Sequence, residues 1–242
     1  AALYRCQCIE APMQGMTHDL DAMLRAITPR TKLVIVANPN NPTGTLVDQA
    51  AVDRFIEQVP DHVVTVFDEA YMELVEPEMY VDTVKHVKAG KKPVVTLRTF
   101  SKAYGLAGLR VGYGIAQPDG IDLLNKVRQP FNVTAMALAA ALAALDDDEY
   151  LAASRRMLKE GRAQLMAGMR RLGLDPVESV TNFILFPFAK AGELTAELTK
   201  RKVIVRPMAG FGLPDYVRVS VGKAEENAQF LAALAEALAV LA

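Results

Sequence analysis

Tryptophan is missing from this chain of 242 residues, and cysteine and histidine are scarce, at two and three copies. Cys6 and Cys8 stand one residue apart, which is poor geometry for a disulfide, and no second pair accompanies them to complete a thiolate metal site. They read as reduced thiols. His18, His62 and His86 are scattered and offer no ligand cluster, so no metal is expected. An excess of charge is lacking too. The 27 Lys and Arg stand against 28 Asp and Glu, for a formal net charge of -1, and no basic run stands out. That excludes an electrostatic footprint for nucleic acid or an anionic membrane. The longest apolar stretch, Val133 to Leu145, is too short to span a bilayer and is mostly alanine, and the N-terminus carries no charged-then-apolar leader. Neither a nucleic-acid nor a membrane partner is expected, and a cytoplasmic location follows by default.

With 51% of its residues hydrophobic and 23% charged, the chain can bury a sizeable core. Apolar, β-branched runs recur at Lys32 to Ala37, Val63 to Phe67, Pro93 to Thr99 and Arg110 to Ala116, with helix-like segments between the first three. That alternation predicts an α/β fold with a mainly parallel sheet and crossover helices. Leu46 to Val59 carries Val47, Ala50, Ala51, Phe55 and Val59 at helical spacing and should cover the sheet. Near Asp146 the composition changes, and acidic residues open a long helix through about Arg171. After Gly173 the pattern predicts a strand at Asn182 to Phe186, a helix at Ala191 to Lys202, and a short strand around Val203 to Val205. A strand at Tyr216 to Val221 and a closing helix from Ala224 complete it. The division expected is a large domain over residues 1–146 and a smaller α+β domain over 147–242. The alanine-rich segments, Ala135 to Leu145 and Leu231 to Ala242, read as packed helices.

Three strand ends carry chemistry. Asn38-Pro39-Asn40-Asn41-Pro42-Thr43-Gly44 follows the first strand and precedes a helix, where open α/β sheets bind ligands. Taken alone, it could also be an ordinary strand-to-helix turn with asparagine side chains bonded to local backbone. The second strand delivers Asp68-Glu69-Ala70-Tyr71 to the same edge, and two adjacent carboxylates there call for a cation. A metal is one candidate, though without a phosphate-binding Gly-x-x-x-x-Gly-Lys loop a nucleotide hydrolase loses ground; a cationic ring nitrogen is the other. The third strand ends in Thr99-Phe100-Ser101-Lys102-Ala103-Tyr104-Gly105-Leu106-Ala107-Gly108-Leu109-Arg110. A desolvated lysine near positive charge has a lowered pKa and attacks a carbonyl to form a Schiff base.

In that order, Asn-Pro-Asn-Asn-Pro-Thr-Gly, Asp-Glu-Ala-Tyr, Ser-Lys-x-x-Gly-Leu-Ala-Gly-Leu-Arg-x-Gly, Val205-Arg206-Pro207 and Val217-Arg218-Val219-Ser220 span the chain. With them the chain resembles the class I/II aminotransferases of pyridoxal-phosphate fold type I, most closely the histidinol-phosphate aminotransferases. The resemblance implies pyridoxal 5'-phosphate as cofactor, an amino donor and a 2-oxo acid as small-molecule partners, and a homodimer. It implies that Lys102 is the covalent anchor and the base that moves the substrate proton, that Asp68 pairs with the ring nitrogen, and that Tyr71 and Asn41 bond the phenolic oxygen. Ser101 and Arg110, with Thr99 on the same loop, would hold the cofactor phosphate, while Glu69 would be structural.

The resemblance further implies that Arg218 receives the carboxylate of glutamate or 2-oxoglutarate. For an amino alcohol phosphate Arg206 is a natural second donor; it reads equally as a surface salt bridge. Tyr104 and Phe211 could line the pocket or simply pack. The expected activity is transamination between L-histidinol phosphate and 2-oxoglutarate in histidine biosynthesis. The alternatives are an aromatic amino-acid aminotransferase, another fold type I lyase or decarboxylase, and a truncated, non-catalytic fragment. The last arises because the family pattern implies an N-terminal portion ahead of Ala1.

Overall fold

The computed structural model describes residues 5–241. Ala1 to Tyr4, at the start of the expected large domain, and Ala242, at the end of the closing alanine-rich run, lie outside the described residues.

A hairpin of β1 (Met13–Gln14) and β2 (Thr17–His18) leads into α1 (Leu20–Arg25), where Asp19 accepts the Ala22 N–H at 2.8 Å and caps the first turn. There follow β3 (Leu33–Ala37), α2 (Gln49–Gln58), β4 (Val64–Asp68), α3 (Val84–Ala89), β5 (Val94–Thr99) and β6 (Gly112–Ile115). These four strands form one sheet in the order β3-β4-β5-β6; the first three are parallel and β6 runs antiparallel to β5. The register matters for function. Ala37 pairs with Asp68 and Asp68 with Leu97, so the loops that leave β3, β4 and β5 emerge from one edge, with the Asp68 loop in the middle.

Helix α2 begins at Gln49, not at Leu46 as its apolar spacing suggests, because Asp48 caps it by accepting the Ala51 N–H at 2.7 Å. Val47 is left in the loop, where the buried Asn38 amide grips its backbone: Nδ2 donates to the Val47 carbonyl at 2.9 Å and Oδ1 accepts the Val47 N–H at 2.8 Å. Val52, Phe55 and Ile56 of α2 pack on Val34, Val36 and Phe67 of the sheet. On the opposite face the alternation of the strands leaves Leu33, Ile35 and Leu97 exposed.

Beyond the sheet come α4 (Pro118–Val127), α5 (Ala135–Leu145) and α6 (Asp148–Arg171), capped by Asp147. The sequence pattern passed over α4, although Pro118 at its first turn and Asp119 beside it are a helix start. Helix α5 is packed on one side only. Ala137 and Ala141 are buried beside Phe100 and Val111, while Met136, Leu138, Leu142 and Leu145 are exposed.

The chain closes with β7 (Phe183–Pro187), α7 (Ala191–Lys200), β8 (Arg206–Pro207), β9 (Tyr216–Ser220) and α8 (Ala224–Leu241). Strands β7-β9-β8 form an antiparallel sheet. The short strand expected at Val203 to Val205 is displaced to Arg206–Pro207. Lys202 takes a left-handed φ of 60° and the Val203 N–H returns to the Leu198 carbonyl at 3.0 Å, so this stretch terminates α7 before pairing can begin. The core under this sheet includes Leu158, Leu165 and Met169 of α6 and Phe230 and Leu234 of α8. It also takes in Tyr71, Leu74 and Ala103 from the loops after β4 and β5.

Gly44 stitches the two sheets' surroundings together. Its φ is +78°, a Cβ there would lie 2.2 Å from Ser179 Oγ and 2.7 Å from Ser179 Cβ, and its carbonyl accepts the Val180 N–H at 2.9 Å. Gly44→Ala therefore combines backbone strain with a clash and is expected to destabilise the protein by about 2–4 kcal/mol, read as a lowered urea midpoint with unchanged slope.

Candidate active site

The three asparagines of the first loop divide their labour. Asn38 and Asn40 turn inward: Asn38 holds Val47, and Asn40 Nδ2 donates to Thr43 Oγ1 at 2.8 Å. Only Asn41 is exposed, and its Oδ1 accepts a short hydrogen bond from Arg218 Nη1. That bond fixes the amide so that Nδ2 remains as a free donor.

At the end of β4 the strand alternation sends adjacent acids opposite ways. Asp68 is exposed, with Oδ1 accepting the Ala70 N–H at 3.1 Å. Glu69 is 0% exposed. One Glu69 oxygen takes Arg98 Nε at 2.9 Å and Nη2 at 2.8 Å; the other takes Thr83 Oγ1 at 2.6 Å. Thr83 meets Thr96 Oγ1 at 2.6 Å, and Arg98 Nη2 also donates to Tyr80 at 2.6 Å. Burial pushes the Glu69 carboxyl up, opposed by Thr83 and the Arg98 guanidinium. Arg98, an interior strand residue that the sequence pattern did not single out, is the cation this acid needed.

Tyr71 is 6% exposed, and burial pushes its phenol up, Arg218 pulling down and Asp68 pushing up. Its ring meets Phe183 edge-on, with centroids 5.3 Å apart. Lys102 Nζ lies 5.3 Å from the Tyr71 centroid and makes no hydrogen bond or ion pair among the described residues. The lysine is exposed, not desolvated as its loop context suggested, although its neighbours Phe100 and Ala103 are buried. Ser101 N–H donates to Thr99 Oγ1 at 3.1 Å, and the Gly105 N–H returns to the Lys102 carbonyl at 3.0 Å. Arg110 adopts a left-handed φ of 54° and donates to the Ala107 carbonyl at 2.7 Å. No side-chain hydrogen bond joins Ser101 or Arg110 to Lys102 among the described residues.

Arg218 on β9 reaches the same place from the second sheet. Its guanidinium lies 4.7 Å over the Phe183 ring, and its Nε is buried without a partner among the described residues. Arg206 is its register partner on β8 and lies 5.5 Å over Phe211. Burial lowers the Arg218 pKa, Tyr71 opposing this and the like charge of Arg206 adding to it. Lys102, Tyr71, Phe183, Arg218 and Asn41 thus form one continuous run of contacts. Phe183 is its middle link, and the unbroken apolar run Phe183-Ile184-Leu185-Phe186 held no signal that would single it out.

This arrangement offers an unengaged amine, an exposed carboxylate, an oriented amide donor and a paired cationic patch, the set needed to hold a ring-bearing anion and carry a proton beside it. The family model of aminotransferases of class I and II matches residues 1–234. A histidinol-phosphate aminotransferase of Ralstonia nicotianae is 51% identical over 237 residues, which is 96% of this chain and 63% of that protein. One from Thiobacillus denitrificans is 52% identical over 222 residues, 92% of this chain and 58% of that protein. The chain thus spans about three-fifths of the length of these curated relatives. The crystal structure of histidinol-phosphate aminotransferase from Sinorhizobium meliloti in complex with pyridoxal-5'-phosphate superposes with a TM-score of 0.89 at 31% identity, over 97% of this chain and 65% of that one. Strand order, loop placement and these likenesses agree: the chain belongs to the class I and II aminotransferases.

Proposed function

We propose that this protein is a pyridoxal 5'-phosphate-dependent transaminase exchanging the amino group between L-histidinol phosphate and 2-oxoglutarate, acting in histidine biosynthesis as a cytoplasmic homodimer. The carrying observation is the cross-strand pair Arg206 and Arg218, two guanidiniums in register with Arg218 Nε left unpartnered. Two forks of this kind suit a phosphate, and one suits a carboxylate. The names of the relatives, about 50% identical, support the same substrate.

The residues present fit the cofactor. Lys102 Nζ is unengaged, Asp68 Oδ2 takes no hydrogen bond among the described residues, and Asn41 has a spare N–H. When bound, pyridoxal phosphate supplies an aldehyde that condenses with amines and a ring that accepts the electron pair left on the substrate carbon. Asp68 would hold a proton on the ring nitrogen, which a neutral asparagine would do less well. Tyr71 and Asn41 would donate to the phenolic oxygen, and Ser101 and Arg110 would bind the phosphate. Lys102 Nζ would be the covalent anchor and, as a free amine, the base that carries the proton from the substrate carbon. Arg218 orients the carboxylate of the 2-oxo acid.

The test separates histidinol phosphate from an aromatic donor. Arg206→Ala should raise KM for histidinol phosphate roughly 10-fold or more, the worth of a charge-assisted hydrogen bond, while leaving initial rates with phenylalanine unchanged. Faster turnover of phenylalanine than of histidinol phosphate by the unaltered protein would overturn the substrate assignment.

A further inference from the structure

One buried acid remains outside the chemistry just described. Glu73 lies in the 3-10 turn Met72–Leu74 that follows Tyr71. It is 6% exposed, and neither carboxylate oxygen has a hydrogen-bond partner among the described residues. The groups that face it come from four elements. Arg98 on β5 is committed to Glu69 and Tyr80, and Glu69 is the acid at the end of β4. Arg155 on α6 directs its Nε to the backbone carbonyl of Glu73, not to the carboxylate. Tyr104 on the lysine loop senses the charge of Glu73.

The place is a junction. Helix α6 touches the turn through Arg155 and through Lys159, 3.2 Å from Glu76. It touches the lysine loop through Tyr150, whose hydroxyl would lie 2.4 Å from a Cβ on Gly105. Leu74 of the turn and Ala103, next to Lys102, share a core with Leu158 of α6. The turn, the loop and the helix therefore fix one another's positions around the unpartnered carboxyl.

We propose that Glu73 is a positioning residue for Lys102: as a neutral acid it fills the junction of turn, lysine loop and α6, and its ionisation loosens the loop. Burial pushes its carboxyl up to about 7; its own backbone N–H and the charges of Arg98 and Arg155 pull down without offsetting this, and the Glu69 carboxylate adds to the rise. An ionised Glu73 has to admit water or draw Arg155 off the backbone carbonyl, and either displaces α6 from the turn. The sign follows from linkage. The folded state holds a proton that the unfolded chain releases at the ordinary glutamate value of 4.5, so this stabilisation is full below that pH and is lost as pH rises through about 7.

The importance of this residue rests on Lys102 being the cofactor lysine, but the test needs no cofactor. In the encoded polypeptide freed of cofactor, an amine-reactive ester labels Lys102 and the exposed Lys126, and the ratio of the two rates, read by mass spectrometry, cancels the reagent's own pH dependence. The unaltered protein should show this ratio rising several-fold between pH 6 and 8 while Tm falls; Glu73→Gln should hold both flat across that window. Glu73→Met, another uncharged side chain of similar length, should behave as Glu73→Gln does. Parallel pH profiles in the unaltered and Glu73→Gln proteins overturn the proposal, as does a change in Tm with a constant labelling ratio. Failure of the unaltered protein to bind pyridoxal phosphate would count against the proposed function alone.

Discussion

Lys102→Ala is expected to abolish transamination, lowering kcat/KM by at least about 10^4-fold, the upper range for loss of a positioned acid or base, with the loss of the covalent anchor added to it. Lys102 Nζ stands over Tyr71 and has no other engagement among the described residues, so under the proposed function it would be the amine that bonds the aldehyde and moves the proton. A methyl group does neither. The same freedom predicts that the fold barely notices the change: the side chain is exposed, and surface substitutions of this kind shift stability by about 0.5 kcal/mol or less. The measurement is an initial-rate assay beside a thermal melt and an absorption spectrum in the presence of pyridoxal phosphate. Wild-type turnover by the alanine variant would remove Lys102 from the mechanism; a collapsed melt would show that the side chain holds structure instead.

The second large effect is on stability. Glu69→Gln leaves Arg98 charged, mostly buried and short of its counterion, and breaking a buried pair from one side costs about 3–5 kcal/mol. For a chain of this size each kcal/mol moves Tm by about 2–4 °C, so the expected drop is roughly 6–20 °C. The double variant Glu69→Leu with Arg98→Leu removes both charges and should recover a large part of the loss, since a well-packed apolar pair often equals a buried ionic one. A Glu69→Gln protein melting within a degree of the unaltered one would mean that the pair contributes nothing. Function should suffer as well, because Glu69 is bonded to the residue that ends β4, and Asp68 owes its place to that anchorage.

The sequence showed the frame of the site more readily than its wiring. Strands β3, β4 and β5 were legible because β-branched runs bounded by loop chemistry have little other use, and the three strand ends were placed on one edge by that pattern alone. What the pattern could not rank was which of two neighbouring polar residues faces inward. By apolar pattern alone Asp68 and Glu69 are equal, and only the family resemblance separated them; burial of the Thr83, Thr96 and Arg98 side is the physical reason. Asn38, Asn40 and Asn41 pose the same problem, and the answer lies in who grips Val47 and Thr43. Phe183 was hidden in an unbroken apolar run, since its importance comes from standing between Tyr71 and Arg218, a relation of separate segments. The displacement of β8 is local in cause but depends on how α7 ends, a detail set by Lys202 and Leu198 together.

Arg218 has one guanidinium and two claims upon it: the Asn41 oxygen belongs to the first sheet's loop, the ring of Phe183 to the second sheet. Any anion that recruits this side chain alters the hold on Asn41, and any group that takes up the Asn41 amide alters what Arg218 can offer an anion. Thermodynamic reciprocity makes the two influences equal in size, whichever ligand arrives first. The side chain thus ties the loop after β3 to the second sheet through a single guanidinium, so the two contacts are thermodynamically coupled.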